Sequence, residues 1–272
     1  MDKSYIKYLN VALTATLKAG AAILDIYRQG DFQVEMKADC SPLTLADRRS
    51  HQIITDHLRR TDLPVLSEEG KEIPYGTRKN WELFWLVDPL DGTKEFISRN
   101  GEFTVNIALI HQQNPVAGLI FAPVPDLLYA GIAGKGSYRM TNASGAPAGF
   151  DLDHFQQQAE ALPLVQPGKK FTTVASRSHS NEKTQTFLEA LRREHGEIEI
   201  KSGGSSLKFC LIAEGSADVY PRFGPTCEWD TGAGQAIVEA AGGRVCEAGS
   251  GKYMLYNKQN LLNPGFITYG SR

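Results

Sequence analysis

The chain has 272 residues, of which 42% are apolar and 22% charged, with a formal net charge of −2. These are values of an ordinary globular protein with a substantial core, not of a disordered chain. The near-neutral balance gives no reason to expect a nucleic-acid polymer or an anionic membrane as partner. The four cysteines, Cys40, Cys210, Cys227 and Cys246, form no C-x-x-C pair, which argues against a structural zinc site and fits reduced thiols in a cytosol. No apolar stretch with a cleavage site opens the chain, and no uncharged apolar run is long enough to span a bilayer, so neither export nor a transmembrane segment is expected.

Ile6, Leu9, Leu13, Leu17, Ala21 and Leu24 recur at steps of three and four, predicting an amphipathic helix that ends near Gly30. Phe32, Val34 and Met36 alternate as a strand, and residues 37–44 read as a loop. A second helix is expected from Thr44, with Asp47 in a capping-box position, running through Ile53, Ile54 and Leu58. Taken alone, Asp47 reads as a capping or dipole partner. Residues 64–67 predict a short strand that delivers Glu68 and Glu69, a pair that by itself reads as surface. Residues 71–80 are polar, contain Pro74 and Gly76, and are expected to form a mobile loop over the site.

Residues 83–87 are apolar without alternation, the pattern of a strand buried on both faces, and Pro89 and Gly92 are expected to stop it with Asp88 and Asp91 at its end. The Leu90 carbonyl lies between them, so three oxygens can converge on one point, a donor set that suits a hard cation such as Mg2+. Gly92 and Thr93 can open a helix whose amides face an anion. The same residues also suit an ordinary turn, because Asp-Pro and Asp-Gly are common turn dipeptides.

Phe103, Val105, Ile107 and Leu109 alternate cleanly, and with a turn at 112–115 and strands at 116–120 and 127–133 they predict an antiparallel meander. The Gly-, Ala- and Pro-rich stretch 142–149 is the expected boundary between an N-terminal α+β lobe, 1–145, and a C-terminal α/β lobe, 146–272. The second half alternates: strand 171–175, helix 181–195, strand 197–200, a helix opened by 203–206, strand 217–220, and a helix that Asp230 begins and Gly242-Gly243 ends. Ser205 and Lys208, three apart on one helix, would share a face and grip one phosphate. By sequence alone Ser176-Arg177-Ser178-His179 reads as an N-cap serine with a surface histidine, and Asp230 reads equally as a helix N-cap. No G-x-x-x-x-G-K-[ST] occurs, which excludes a P-loop.

Asp88-Pro89-Leu90-Asp91-Gly92-Thr93-Lys94-Glu95-Phe96, preceded by Ser67-Glu68-Glu69-Gly70 and followed far downstream by Glu228-Trp229-Asp230, resembles the inositol monophosphatase superfamily of lithium-sensitive, Mg2+-dependent phosphatases. Within it the chain is similar to the CysQ type of 3'(2'),5'-bisphosphate nucleotidase, from Lys37 to about Gly243. The resemblance implies a mixed α+β fold, the layered α-β-α-β-α sandwich of inositol monophosphatases and fructose-1,6-bisphosphatases. Most metal ligands would lie in the first lobe, and substrate contacts and the last ligand in the second. It implies one Mg2+ on Glu68, Asp88 and the Leu90 carbonyl, a second bridged by Asp88 and completed by Asp91 and Asp230, and a weaker third near Glu68, with Glu69 beside it.

Thr44 and Asp47 match the family's Thr-x-x-Asp, whose carboxylate accepts from the Asp-Gly-Thr threonine, so Asp47, Thr93 and Glu68 are the implied catalytic set. Substrate contacts are implied for Glu68, Leu90, Asp91, Gly92, Thr93 and Asp230, with His179, Ser205, Lys208 and Arg222 holding the nucleotide and its second phosphate. Cys227-Glu228 before Trp229 departs from the family pattern, at a place that bears on leaving-group contacts. The implied reaction is hydrolysis of the 3'-phosphate of adenosine 3',5'-bisphosphate, with 3'-phosphoadenylyl sulfate as second substrate, in the cytoplasm or on the cytoplasmic face of the inner membrane. Inositol monophosphatase or fructose-1,6-bisphosphatase activity is the alternative in the same class. A silent nucleotide sensor, or a retaining glycosidase built on Glu68 and Asp88, is the alternative outside it.

Overall fold

The computed structural model describes residues 3–37, 41–147, 149–164, 168–175 and 182–271. Helix α1 (Lys3–Gln29) buries Leu9, Leu13 and Ile23, and Gly30 ends it at φ +82°. By length and composition α1 is apolar enough to cross a membrane, but it is not an uncharged run, since it carries Lys7, Lys18 and Asp25; half of it is buried and its apolar stripe belongs to the core. The strand expected at 32–36 shrinks to β1 (Glu35–Met36), paired antiparallel with β2 (Pro42–Leu43). Phe32 is drawn away from it into an aromatic group, its ring centroid 4.6 Å from that of Phe96. Helix α2 (Leu45–Leu58) begins with a complete capping box, in which the Thr44 amide donates to Asp47 Oδ2 at 2.7 Å.

The chain continues through β3 (Val65–Ser67), α3 (Tyr75–Arg78), β4 (Leu83–Asp91), α4 (Thr93–Ile97), β5 (Thr104–His111), β6 (Asn114–Ala122), β7 (Leu127–Ile132), β8 (Gly136–Thr141), α5 (Leu152–Gln158) and β9 (Glu160–Leu162). Strands β3 to β9 form one seven-stranded sheet in chain order, with β3 parallel to β4 and every other pair antiparallel. The expected lobe boundary at 145/146 therefore precedes the last strand of this sheet. Phe150, Leu152 and Phe155 keep the chain on the first core past that point, and the Leu152 amide donates to Asn10 Oδ1 on α1 at 2.8 Å. Residues 71–80 are not an open loop, because they contain α3 and are pinned by Arg78, which is 3% exposed.

The second half adds β10 (Thr172–Ala175), α6 (Glu182–His195), β11 (Glu199–Ser202), α7 (Leu207–Ala213), β12 (Val219–Arg222), α8 (Gly232–Ala240), β13 (Arg244–Glu247) and β14 (Phe266–Tyr269). Its five-stranded sheet has the order β11-β10-β12-β14-β13, parallel at β11, β10 and β12 and antiparallel at β14. Burial defines the layers. Trp85, Val87, Val105, Ile107, Leu119 and Phe121 of the first sheet join α1 and α2 in one core, while Phe84, Leu86, Ala108, Ile110 and Ile120 face α7, α8 and the second sheet in another. Leu188 and Leu191 of α6 cover the far face of the second sheet at Val219. The result is the expected α-β-α-β-α sandwich, and because β4 is covered on both faces its sequence shows no alternation.

Helix α8 lies directly on the backbone of the first sheet. Gly118 and Gly131 sit opposite each other on β6 and β7, and a Cβ on them would come within 2.4 Å of Ala233 O and 2.3 Å of Ile237 Cα. Two bare glycines therefore fix the depth of the helix whose N-terminus follows Asp230. Gly131→Ala is expected to destabilise the fold by about 1–3 kcal/mol, the range for overpacking a tight core. A thermal melt with an unchanged midpoint would show that α8 can shift instead.

Candidate active site

Strand β4 does not stop at Pro89. It pairs with β5 as far as Asp91, with Asp88 opposite Asn106 and Asp91 opposite Thr104, so one extra residue is inserted between the two aspartates. A bulge of this kind re-aims side chains and tolerates a residue without an N–H, which is why proline fits inside the strand here. Ser50 Oγ on α2 donates to the Pro89 carbonyl at 2.7 Å, and the Leu90 amide donates to Asp88 Oδ1 at 3.1 Å. Gly92 then takes φ +93°, and α4 begins at Thr93.

Four acids from distant parts of the chain interact here. Asp88 is 1% exposed, and burial, then repulsion from Glu68, Asp91 and Asp230, pushes its carboxyl well above the usual carboxylate range. Asp230 is raised for the same reasons, first by burial and then by Asp91, and Glu68 is raised by burial against the opposing pull of Lys37. Among the described residues no three of these side chains close around a single point. Glu68 and Asp88 share a side-chain hydrogen bond, and Glu68 also accepts from Lys37 Nζ at 2.9 Å; Asp91 Oδ2 accepts from Ser206 Oγ at 2.7 Å and Asn106 Nδ2 at 3.2 Å, and Asp230 Oδ2 from the Cys227 amide at 2.8 Å. An oxygen-only donor set short of positive charge fits a hard divalent cation.

Thr93 Oγ1 donates to Asp47 Oδ1 at 3.0 Å, while the other oxygen of Asp47 accepts from the Thr44 amide. Asp47 is thus both a cap and a partner of Thr93, and burial raises its carboxyl. With its proton directed to Asp47, the Thr93 oxygen keeps its lone pairs for an incoming donor.

A cavity of about 180 Å3 opens beside these acids and is lined by Asp91, Gly92, Glu95, Glu102, Ser205, Ser206, Lys208, Arg222 and Asp230. Ser205 and Lys208 do not share a helical face as expected. Helix α7 starts only at Leu207, Ser205 sits at φ +42°, and Lys208 Nζ donates to the Ser205 carbonyl at 2.5 Å. Lys208 is 6% exposed, and burial brings its ammonium down to about 8. Arg222 donates from Nη2 to the Pro225 carbonyl at 3.3 Å, and its buried Nε has no partner among the described residues. His179 lies outside the described residues. Asp230 is not an N-cap but the last residue of a 3-10 turn, Glu228–Asp230, and the Glu228 side chain points into the interior rather than toward the cavity and any leaving group.

Three residues at the site carried no readable signal. Ser206 Oγ donates to both Asp91 Oδ2 and the Asp230 carbonyl, at 2.7 and 3.0 Å, and so joins two elements 115 and 24 residues away along the chain. Asn106 also donates to Asp91, from the facing strand. Lys37 Nζ lies between Glu68 and Glu69, whose charges outweigh burial and keep it protonated. A serine beside a serine, an asparagine within a strand and a lysine before a loop look ordinary until the strands pair.

The model of the inositol monophosphatase family matches residues 5–267. The chain belongs to that family. It is 44% identical over 252 residues to the 3'(2'),5'-bisphosphate nucleotidase CysQ of Escherichia coli K12, covering 91% of this chain and 94% of that one. A crystal structure of CysQ from Bacteroides thetaiotaomicron, described as a bacterial member of the inositol monophosphatase family, superposes with a TM-score of 0.92 at 49% identity over 98% of each chain. The extragenic suppressor protein suhB of Bartonella henselae is more distant, with a TM-score of 0.72 at 26% identity, covering 97% of this chain and 94% of that one.

Proposed function

We propose that this family member is a 3'(2'),5'-bisphosphate nucleotidase: a Mg2+-dependent phosphatase that converts adenosine 3',5'-bisphosphate to AMP and phosphate. 3'-Phosphoadenylyl sulfate is its second substrate, which ties the enzyme to sulfate assimilation in the cytoplasm. The observation that carries this reading is the near full-length similarity to proteins of that name. The cavity supports it, with Asp91 and Asp230 at one end and the cations Lys208 and Arg222 available for a second phosphate.

Enzymes of this family depend on metal, typically Mg2+. Glu68, Asp88, Asp91, Asp230 and the Leu90 carbonyl would hold it, as two ions with a third, weaker one near Glu68. Bound Mg2+ supplies neutralisation of the phosphoryl charge and acidifies water. Thr93, held by Asp47, would accept a proton from the attacking water at Oγ1 and align it. The Gly92 and Thr93 amides would contact the scissile phosphate, while Ser205, Lys208, Arg222 and His179 would hold the rest of the nucleotide. The division into a metal-bearing lobe and a substrate-bearing lobe belongs to the same proposal, with the first lobe extending to Leu162.

Phosphate release from adenosine 3',5'-bisphosphate, inositol 1-phosphate and fructose 1,6-bisphosphate, each with Mg2+ and with EDTA, tests the assignment. The nucleotide is expected to have the highest kcat/KM and EDTA to abolish turnover; preference for inositol 1-phosphate would overturn it. Because Lys208 titrates at about 8, KM for the nucleotide is expected to rise as pH passes that value, with the rise absent in Lys208→Met. A pH-independent KM in the wild type would remove Lys208 from phosphate binding.

A further inference from the structure

We propose that Glu228, working through Asn257 and Arg78, is a positioning residue that braces the Asp230 carboxylate against the Glu68 side of the site and so sets metal affinity. The proposal rests on the metal-dependent reading above. The Glu228 side chain is 0% exposed. Its Oε2 accepts from the Asn257 amide at 2.6 Å, and its Oε1 accepts from the Lys258 amide at 2.9 Å and Lys258 Nζ at 2.7 Å. Both oxygens are thus engaged by consecutive amides, which fixes the rotation of the carboxylate as well as its position.

The backbone at Glu228 is held just as firmly. Its amide donates to the Leu261 carbonyl at 3.0 Å, and its carbonyl accepts from the Thr231 amide and hydroxyl at 3.1 and 3.2 Å. Glu228 opens the one-turn helix that Asp230 closes, so any rotation of that turn swings the Asp230 carboxylate.

The second arm starts from the same segment. Asn257, at φ +63°, donates from Nδ2 to the Arg78 carbonyl at 2.7 Å and accepts from Arg78 Nη1 at 2.8 Å. Arg78 also donates to the carbonyls of Lys258 and Gln259, at 2.6 and 3.0 Å. It lies in α3, on the stretch that leads from Glu68 and Glu69 into β4. Residues 257–259 therefore hold, by hydrogen bonds and the Lys258–Glu228 ion pair, the turn that carries Asp230 and the helix that follows Glu68, from opposite ends of the chain. Placement to within about 0.5 Å is what cooperating ligands need. A hydrophobic residue at 228 would fill the same space without aiming the turn.

The test measures Mg2+ binding by the full-length chain without substrate, by calorimetry, alongside thermal melts and the Mg2+ dependence of turnover. Glu228→Gln keeps the size and one acceptor oxygen but loses the charge and the paired hold; Arg78→Lys breaks the other arm without touching the turn. Both are expected to weaken Mg2+ binding about 10-fold or more, as loss of groups that orient ligands typically does. The defect in turnover should recover as Mg2+ is raised. Lower melting temperature with unchanged Mg2+ affinity in both variants would overturn the proposal and leave the brace a purely structural one. If Glu228→Gln does not fold, Arg78→Lys and Lys258→Met decide by the same measurement. Because binding is read without nucleotide, a wrong substrate assignment leaves this outcome untouched, and failure of the wild type to bind Mg2+ would instead sink the metal-dependent reading.

Discussion

Asp88→Asn is expected to reduce kcat by about three orders of magnitude while making the metal-stripped protein more stable, since a bound metal supplies several kcal/mol of transition-state stabilisation. The two effects have one origin. Asp88 is buried among Glu68, Asp91 and Asp230, and its carboxyl is pushed well above its ordinary value. A carboxyl raised in this way binds its proton more tightly in the folded than in the unfolded chain. The folded state then keeps that stability below about pH 4, the unfolded value, and loses it as pH rises through the folded one. Glu68 and Asp230 shift in the same direction.

In EDTA, the wild-type melting temperature is therefore expected to fall as pH rises above about 4, and Asp88→Asn to melt higher than wild type on the alkaline side with a flatter profile. Excess Mg2+ should reverse the order, stabilising the wild type and leaving the variant unmoved. A variant that kept both its Mg2+-induced shift and its rate would refute the assignment of Asp88 to the metal.

The second large effect is predicted at Thr93. Its hydroxyl donates to Asp47 at 3.0 Å and belongs to none of the four crowded acids. Thr93→Ala is expected to lower kcat by about 10²–10⁴, the usual contribution of a positioned proton acceptor, with Mg2+ affinity and melting temperature close to wild type. Thr93→Ser should restore most of the rate, because it returns the hydroxyl without the methyl group. An alanine variant at full speed would mean that water is aligned by something other than the Thr93–Asp47 pair. The contrast between positions 88 and 93, one changing metal response and the other changing turnover alone, separates holding the ion from using the water.

The positions of the acidic motifs at element ends were legible locally, while their role as one site was implied only by the family resemblance. Glu68 follows a short strand, Asp88 and Asp91 flank a proline, and Asp47 sits three residues after Thr44, so spacing alone places each at an element's edge. The capping box at Thr44, the doubly buried strand β4 and the meander that follows it are likewise products of period and propensity, whereas the layered sandwich was implied by the family resemblance. Where expectation failed, a distant partner had intervened. The strand was expected to end at Pro89, but pairing with β5 carries it through a bulge to Asp91. The loop expected to move at 71–80 is tied down by Arg78 on residues 257–259. Ser205 and Lys208 were expected on one helical face, but the helix begins at Leu207, two residues too late for that.

What the sequence determined by itself was therefore the order of most elements and, through three short acidic motifs, the family, since each motif and each element is set by residues within a few positions of one another. Only the tertiary structure decided that acids from distant segments are buried beside one another, that Ser206 and Asn106 hold Asp91, that two bare glycines seat α8, and that the buried Glu228 is held by Asn257 and Lys258. Repulsion, hydrogen bonding and close backbone contact all fall off over a few ångströms. Residues more than a hundred positions apart exert them only after the sheets have formed and brought them together.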